Sequence, residues 1–348
     1  MRVWRISAFG GRLTQEPSRA GLLALLALMV GLCALVLLSA MLGSEAPGPG
    51  QALKALMGKG DAGAILIVAE FRLPRSLVAI LAGGMLGLAG ALIQGATRNP
   101  LADPALLGIS QGAALTVIGL SVLAPGVAGE WRPPAAFLGG ILVAGLILLL
   151  SHQREGSGPV RLLLTGIGIA AFLSALTTAL LTYGGVNEAH AALAWISGSV
   201  RLVGWPEVRL LAWLTPPALL IAALCSRPLA VLRLGDELAT VLGHRAGRAR
   251  AWLMAAAAAM AAAAVSIIGP IAFVGLIAPH LAARLARVGP GLHLALSWAV
   301  GAGLTGLADL AGRWLFAPVQ IPAGLVTALV GAPLMAALMI RRFGRKPA

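Results

Sequence analysis

Apolar residues gather into ten runs, at 21–42, 76–96, 105–124, 134–151, 161–183, 208–225, 251–268, 271–282, 292–312 and 324–340, with most charged residues in the gaps. A bilayer core about 30 Å thick takes roughly 20 apolar residues per helix, so the pattern predicts about ten transmembrane helices. The eighth run is too short to span and predicts a half-length or broken helix. The stretch 187–206 is more polar than its neighbours and is expected outside the membrane as a surface helix or loop.

Composition agrees with lipid as the solvent. Of 348 residues, 59% are hydrophobic and 11% charged, whereas a water-soluble domain carries roughly 25% charged residues. The first run, Leu22 to Leu42, follows Arg2, Arg5, Arg12 and Arg19. It is longer than the apolar stretch of a signal peptide and is expected to be a retained first helix.

The net charge of +14 does not point to nucleic acid, because the basic residues lie between the apolar runs. With residues 1–20 in the cytoplasm, ten crossings place Arg98, Arg154, Arg161, Arg227, Arg233, Arg245, Arg248, Arg250, Arg284, Arg287, Arg341, Arg342, Arg345 and Lys346 inside. This asymmetry predicts both termini in the cytoplasm. Cys33 and Cys225 stand in apolar stretches without partner spacing and are expected to be structural, with no metal role. On the second helix Gly83, Gly84, Gly87, Gly90 and Ala91 recur at three- and four-residue intervals, a face suited to close helix packing.

The acidic residues bear on energy coupling. Ion-driven transporters hold ionisable groups within the bilayer, but here Asp309 alone lies well within an apolar run, one turn from Arg313. No phosphate loop of the G-x-x-x-x-G-K-[ST] type occurs, so any ATP must be hydrolysed on another subunit. The chain itself is expected not to be an enzyme and to carry no cofactor. The cytoplasmic loop 227–250 offers a docking place. Within it Gly235, Asp236, Glu237, Leu238, Ala239, Thr240, Val241, Leu242 and Gly243 read as a short helix, acidic at its start and closed by glycine. An arginine-rich stop-transfer loop is the plainer reading of the same residues.

Several segments in order then resemble one family over about residues 65–340. They are Phe71-Arg72-Leu73-Pro74-Arg75; Ile93-Gln94-Gly95-Ala96-Thr97-Arg98-Asn99-Pro100-Leu101-Ala102-Asp103-Pro104 with Gly108 and Gly112; and Trp195-Ile196-Ser197-Gly198-Ser199. The Gly235–Gly243 segment, Gly269 through His280, Ala308-Asp309 with Arg313, Ile321-Pro322-Ala323-Gly324 and Gly331-Ala332-Pro333 complete the series. Together they resemble the FecCD-type permeases of bacterial importers for iron–siderophores, haem and vitamin B12. The resemblance implies an all-α integral membrane protein, residues 1–348 forming one permease domain of the type II ABC importer fold in the bacterial inner membrane. It also implies a second permease subunit, identical or sister, two ATP-binding subunits that hold ATP and Mg, and a periplasmic substrate-binding protein.

Site residues follow from the same resemblance. Arg72, Arg75 and Arg313 match outward-facing arginines that receive carboxylates of the binding protein; without it, they would be interfacial anchors. Gly235, Asp236, Glu237, Leu238, Ala239, Thr240, Leu242 and Gly243 match the coupling helix seated in the ATPase. Asn99 and Leu101 match part of a cytoplasmic gate, with Pro159 and Val160 where its other part would be; Asn99 is equally suited to a helix cap. His280 is expected to make a structural hydrogen bond. The wording from Arg72 to Pro104 resembles ferric siderophore permeases, with haem or vitamin B12 as alternative cargo and an ion-coupled secondary transporter as the competing class.

Overall fold

The computed structural model describes residues 6–8, 13–15, 18–43, 47–124, 126, 128–151, 158–183, 192–241 and 245–343. Almost all are helical: α1 (Arg19–Met41), α2 (Pro49–Leu56), α3 (Ala62–Ile65), α4 (Leu73–Thr97), α5 (Ile109–Leu123), α6 (Ala128–Ser151) and α7 (Gly158–Tyr183). There follow α8 (Trp205–Leu232), α9 (Asp236–Val241), α10 (Ala246–Ile268), α11 (Val274–Leu285), α12 (Pro290–Trp314) and α13 (Ala323–Phe343). The N-terminal segment adds one small antiparallel ribbon, β1 (Ile6–Ala8) with β2 (Leu13–Gln15).

Every predicted apolar run corresponds to one of these helices. Among the described residues seven helical stretches are long and apolar enough to cross a membrane, and shorter apolar helices in α5, α11 and α13 fill the other positions. The third run does not form one full helix. Asp103 caps a 3-10 turn at Pro104–Leu107 by accepting from the Ala105 amide, and left-handed Gly108 (φ 64°) turns the chain into the shorter α5. The sixth run is longer than expected. Glu207 Oε2 accepts from the Gly204 amide at 2.7 Å and starts α8 early, and the helix continues past Pro228 to Leu232. The loop expected at 227–250 therefore narrows to the span between α8 and α10.

The second run begins before its apolar residues. α3 passes through a π-helical stretch, Leu66–Arg72, directly into α4, a continuous helical path from Ala62 to Thr97. α4 is the hub. It is buried nearly all round, from Val78 to Ala96, and packs against α12, α10, α8 and α11. Such packing in lipid needs close backbone approach. A Cβ on Gly90 would run into the Gly275 carbonyl oxygen, and one on Gly87 into that of Ser297. The small-residue face read from the sequence is thus a packing face. Outer helices meet lipid with leucine: Leu22, Leu23 and Leu26 of α1, Leu138, Leu142 and Leu149 of α6, and Leu164 of α7 are exposed.

From the stretch expected outside, 187–206, a helical turn at 192–196 is described. Gly198 (φ 67°) follows, in a position where a Cβ would strike the Pro270 carbonyl oxygen. The Ser199 amide donates to Ile268 O, and the Gly324 amide to Gly198 O, which stitches this segment to the ends of α10 and α13.

Candidate functional sites at the two ends of α4

At the N-terminal end of α4, expected to face outward, Arg72 closes the π-helical stretch, Arg75 lies in the first turn of α4 and Arg313 in the last turn of α12. The fold gathers all three around a cavity of about 310 Å³, with Gly43, Ile67, Phe71, Arg201 and Gln320 as the other lining residues. Their guanidinium groups also have tasks inside the protein. Arg72 Nη1 donates to Ala40 O at 3.0 Å. Arg313 donates to Leu42 O at 3.1 Å and to both oxygens of Ser39. These carbonyls belong to the last turn of α1, where a helix leaves acceptors unsatisfied and its dipole is negative. Two arginines therefore cap α1 from the side.

Arg75 makes a fork with Asp309: Nε to Oδ1 at 2.9 Å and Nη2 to Oδ1 at 2.7 Å, while Nη1 donates to Gln320 Oε1 at 2.8 Å. Asp309 is 1% exposed. Arg313, one turn away in sequence, lies at 3.7 Å from its Oδ2. The closer partner of Asp309 is thus the distant Arg75, which joins α4 to α12.

Arg201 was not singled out by sequence reasoning. It sits on the exposed rim of the cavity and is shared with an adjoining cavity of about 360 Å³ that also holds Arg75, Arg132, Glu207 and Gln320. The available signal was its place among the few basic residues assigned outside.

At the C-terminal end of α4, expected to face inward, α9 carries Asp236 at its first position, and its carboxylate is held from two sides. Arg98 Nη2 lies 3.1 Å from Oδ1, and Arg250 Nη2 donates to Oδ1 at 2.9 Å. Arg250 Nε donates in turn to Ala96 O at 3.0 Å, a carbonyl of the last turn of α4. Arg98 reaches this position from a left-handed backbone (φ 53°), uncommon outside glycine. The short helix is thereby tied to the end of α4 and the start of α10. On its outer face Leu238 and Val241 are exposed three residues apart, with Leu234 exposed in the turn before the helix, while Ala239 is buried. Gly235 turns the chain at φ 106°, Glu237 stands beside Asp236 in the first turn, and Thr240 Oγ1 donates to Asp236 O. Leu242 and Gly243 lie outside the described residues.

Asn99 Oδ1 accepts from the Leu101 amide at 2.9 Å and so closes the turn after α4. It caps a turn here, and the helix cap belongs to Asp103. Burial pushes the Asp103 carboxyl above its ordinary value, against backbone hydrogen bonds from Ala105 and Leu276 that lower it. Leu101 is exposed. Pro159 and Val160 fall in the first turn of α7, and their side chains lie outside the described ones. His280 Nδ1 bonds Leu276 O at 3.0 Å, the structural role expected of it. Among the described residues no cluster of metal-ligating groups occurs.

Comparison with known proteins gives a consistent picture. The model of the FecCD transport family matches residues 29–341. The achromobactin transport system permease protein CbrC of Dickeya dadantii is 39% identical over 98% of this chain and 96% of its own length. The Fe(3+)-citrate import system permease protein YfmE of Bacillus subtilis is 37% identical over 92% and 95%. Among solved structures, one described as an inward-facing, metal-chelate type ABC transporter superposes with a TM-score of 0.79 at 26% identity. It covers 91% of this chain and 98% of that one.

Proposed function

The chain belongs to the FecCD transport family, and on that premise we propose that it carries ferric siderophores across the bacterial inner membrane, with both termini in the cytoplasm. It is a multi-pass permease subunit of an ATP-driven importer. Catalysis of ATP hydrolysis lies with a separate subunit, and a binding protein delivers the cargo. The arrangement we infer has two permease subunits, two ATP-binding subunits holding ATP and Mg, and one periplasmic binding protein. The names of the relatives, achromobactin and Fe(3+)-citrate permeases, favour ferric siderophores over haem or vitamin B12 as cargo.

The observation that supports this assembly best is that one buried helix, α4, carries a candidate partner site at each end. Its outer end bears Arg72 and Arg75 in a basic cavity with Arg313. Its inner end is tied to α9, whose exposed Leu238 and Val241 offer an apolar ridge to an ATP-binding subunit. Carboxylates of the binding protein would meet Arg75 and Arg201 at the cavity, since bidentate arginine–carboxylate pairs fix register as well as attraction. Arg72 and Arg313 contribute their charge from behind while holding α1. The Asn99–Leu101 turn and the Pro159–Val160 turn are the gate we assign beneath the pathway. Binding-protein association measured in nanodiscs tests the outer site. Arg75→Ala with Arg201→Ala should weaken it about tenfold or more, as expected for losing charge-assisted hydrogen bonds. Arg201→Ala alone, which leaves the Arg75–Asp309 joint intact, should weaken it in the same direction. Unchanged association would remove the arginines from the docking role.

A further inference from the structure

Beside the inner end of α4 lies a third cavity, of about 480 Å³, that the transport function described above does not use. Five elements converge on it. Ser18 comes from the start of α1, Gln94 and Pro100 from the end of α4 and its turn, and Arg233 from the end of α8. His280 and Arg287 come from α11 and the turn after it, and Gly289 and His293 from the start of α12. Its charged and titratable lining is wholly basic: two arginines and two histidines, with no carboxylate among the lining residues. Arg233 and His280 lie close enough to act electrostatically on His293. No carboxylate partner of Arg233 or Arg287 occurs among the described residues, in contrast to Arg98 and Arg250, which share Asp236.

Arg233 and Arg287 place two like charges around one void, and the void is large enough to admit the counter-charge. The remaining lining groups are suited to an anion. Ser18 lies at the rim, its Oγ accepting from the Gly21 amide and its O–H left to donate. The start of the 25-residue α12, which no side chain caps, brings Gly289 and His293 to the same cavity. The level of the cavity indicates the class of anion. Ser18 directly precedes α1, whose next turns expose Leu22, Leu23 and Leu26 to lipid, so the rim stands where the chain enters the bilayer. Phosphate is the anion present at that level, and basic pockets between helices on the cytoplasmic side suit anionic head groups.

We propose that this cavity is a phosphate-binding site, and that the phosphate belongs to an anionic phospholipid of the inner leaflet. The assignment rests on the inward placement of this end in the transport reading, but its test does not depend on transport.

The test uses the full chain reconstituted with equal parts phosphatidylglycerol and phosphatidylcholine, then stripped in detergent and examined by native mass spectrometry and thermal melting. The variants are Arg233→Gln with Arg287→Gln, and Arg284→Gln as a control of similar charge just outside the cavity. Wild type and the control should retain phosphatidylglycerol over phosphatidylcholine and melt higher in its presence. The double variant should bind it about tenfold more weakly or worse, as charge-assisted bonds are lost. Inorganic phosphate that raises the melting point of wild type alone, without lipid retention, would assign the site to free phosphate instead of a head group. Equal retention of both lipids, or equal retention by wild type and the double variant with no phosphate effect, overturns the proposal. Unchanged lipid retention with weakened binding of ATP-binding subunits also overturns it, and gives the basic cluster to that partner.

Discussion

The arginines at the start of α4 and the end of α12 already have tasks inside the fold. Arg72 and Arg313 are 6% and 4% exposed and donate into the last turn of α1, while Arg75 is locked on Asp309. A buried pair gives little net stability when intact, but losing one partner costs about 3–5 kcal/mol because an uncompensated charge remains. Asp309→Ala should therefore lower the thermal midpoint in detergent markedly, and Asp309→Asn less, since the amide oxygen still accepts from Arg75. An alanine variant as stable as wild type would show that the fork is not a structural joint. The sequence made Asp309 visible as the lone intramembrane acid but directed it to Arg313, its neighbour by helical spacing. The actual partner, 234 residues away in the chain, depends on how α4 and α12 pack, and periodicity holds no information on that. Arg201 escaped for a similar reason: the segment just before it is pinned by backbone bonds of Gly198 and Ser199 to Gly324 and Ile268, and the place this gives Arg201 beside Arg75 is not encoded by any local pattern.

Among the elements, α4 depends on close approach. Gly90 faces the Gly275 carbonyl, so Gly90→Val must push α11 away, and overpacking of this kind costs about 1–3 kcal/mol. Reduced yield of folded protein in the membrane is the expected result, and a normal yield would contradict the packing described. The small-residue spacing on α4 was legible because it is a local pattern, as were the ten apolar runs. The broken third run and the lengthened α8 were not, because they turn on capping by Asp103 and Glu207 across residues of mixed polarity. The inner joint of α4 allows a sharper test. Asp236 is 46% exposed and Arg98 41%, so the pair adds little to stability. As a link between α9 and α4, however, it should govern how ATP hydrolysis is converted to transport. Asp236→Asn should leave the melting point close to wild type while the ratio of chelate imported to ATP hydrolysed falls several-fold. Exchanging the charges, Arg98→Asp with Asp236→Arg, should restore part of that ratio. A normal ratio in the single variant would contradict the link.

For the whole molecule, the proposed contacts for the ATPase and for the binding protein lie at opposite ends of α4. The sequence has no phosphate loop, and among the described residues Asp309 is the only carboxylate buried within an apolar helix, so no relay of ionisable groups is seen there. The need for an energy-supplying partner follows from composition and motif order, and the family match over residues 29–341 agrees with it. The cargo is set less firmly by this chain, because a broad, weakly interacting pathway suits an iron already ligated by its chelator. The most direct measurement of import by this chain is uptake of radioactive iron, supplied as several siderophores, in cells lacking this chain and complemented with it. Wild type should restore accumulation of at least one ferric siderophore, collapse of the proton gradient with ATP maintained should leave this uptake intact, and ATP depletion should abolish it. Uptake that follows the proton gradient, or no dependence of any ferric siderophore on the chain, would contradict ATP-driven siderophore import by this chain.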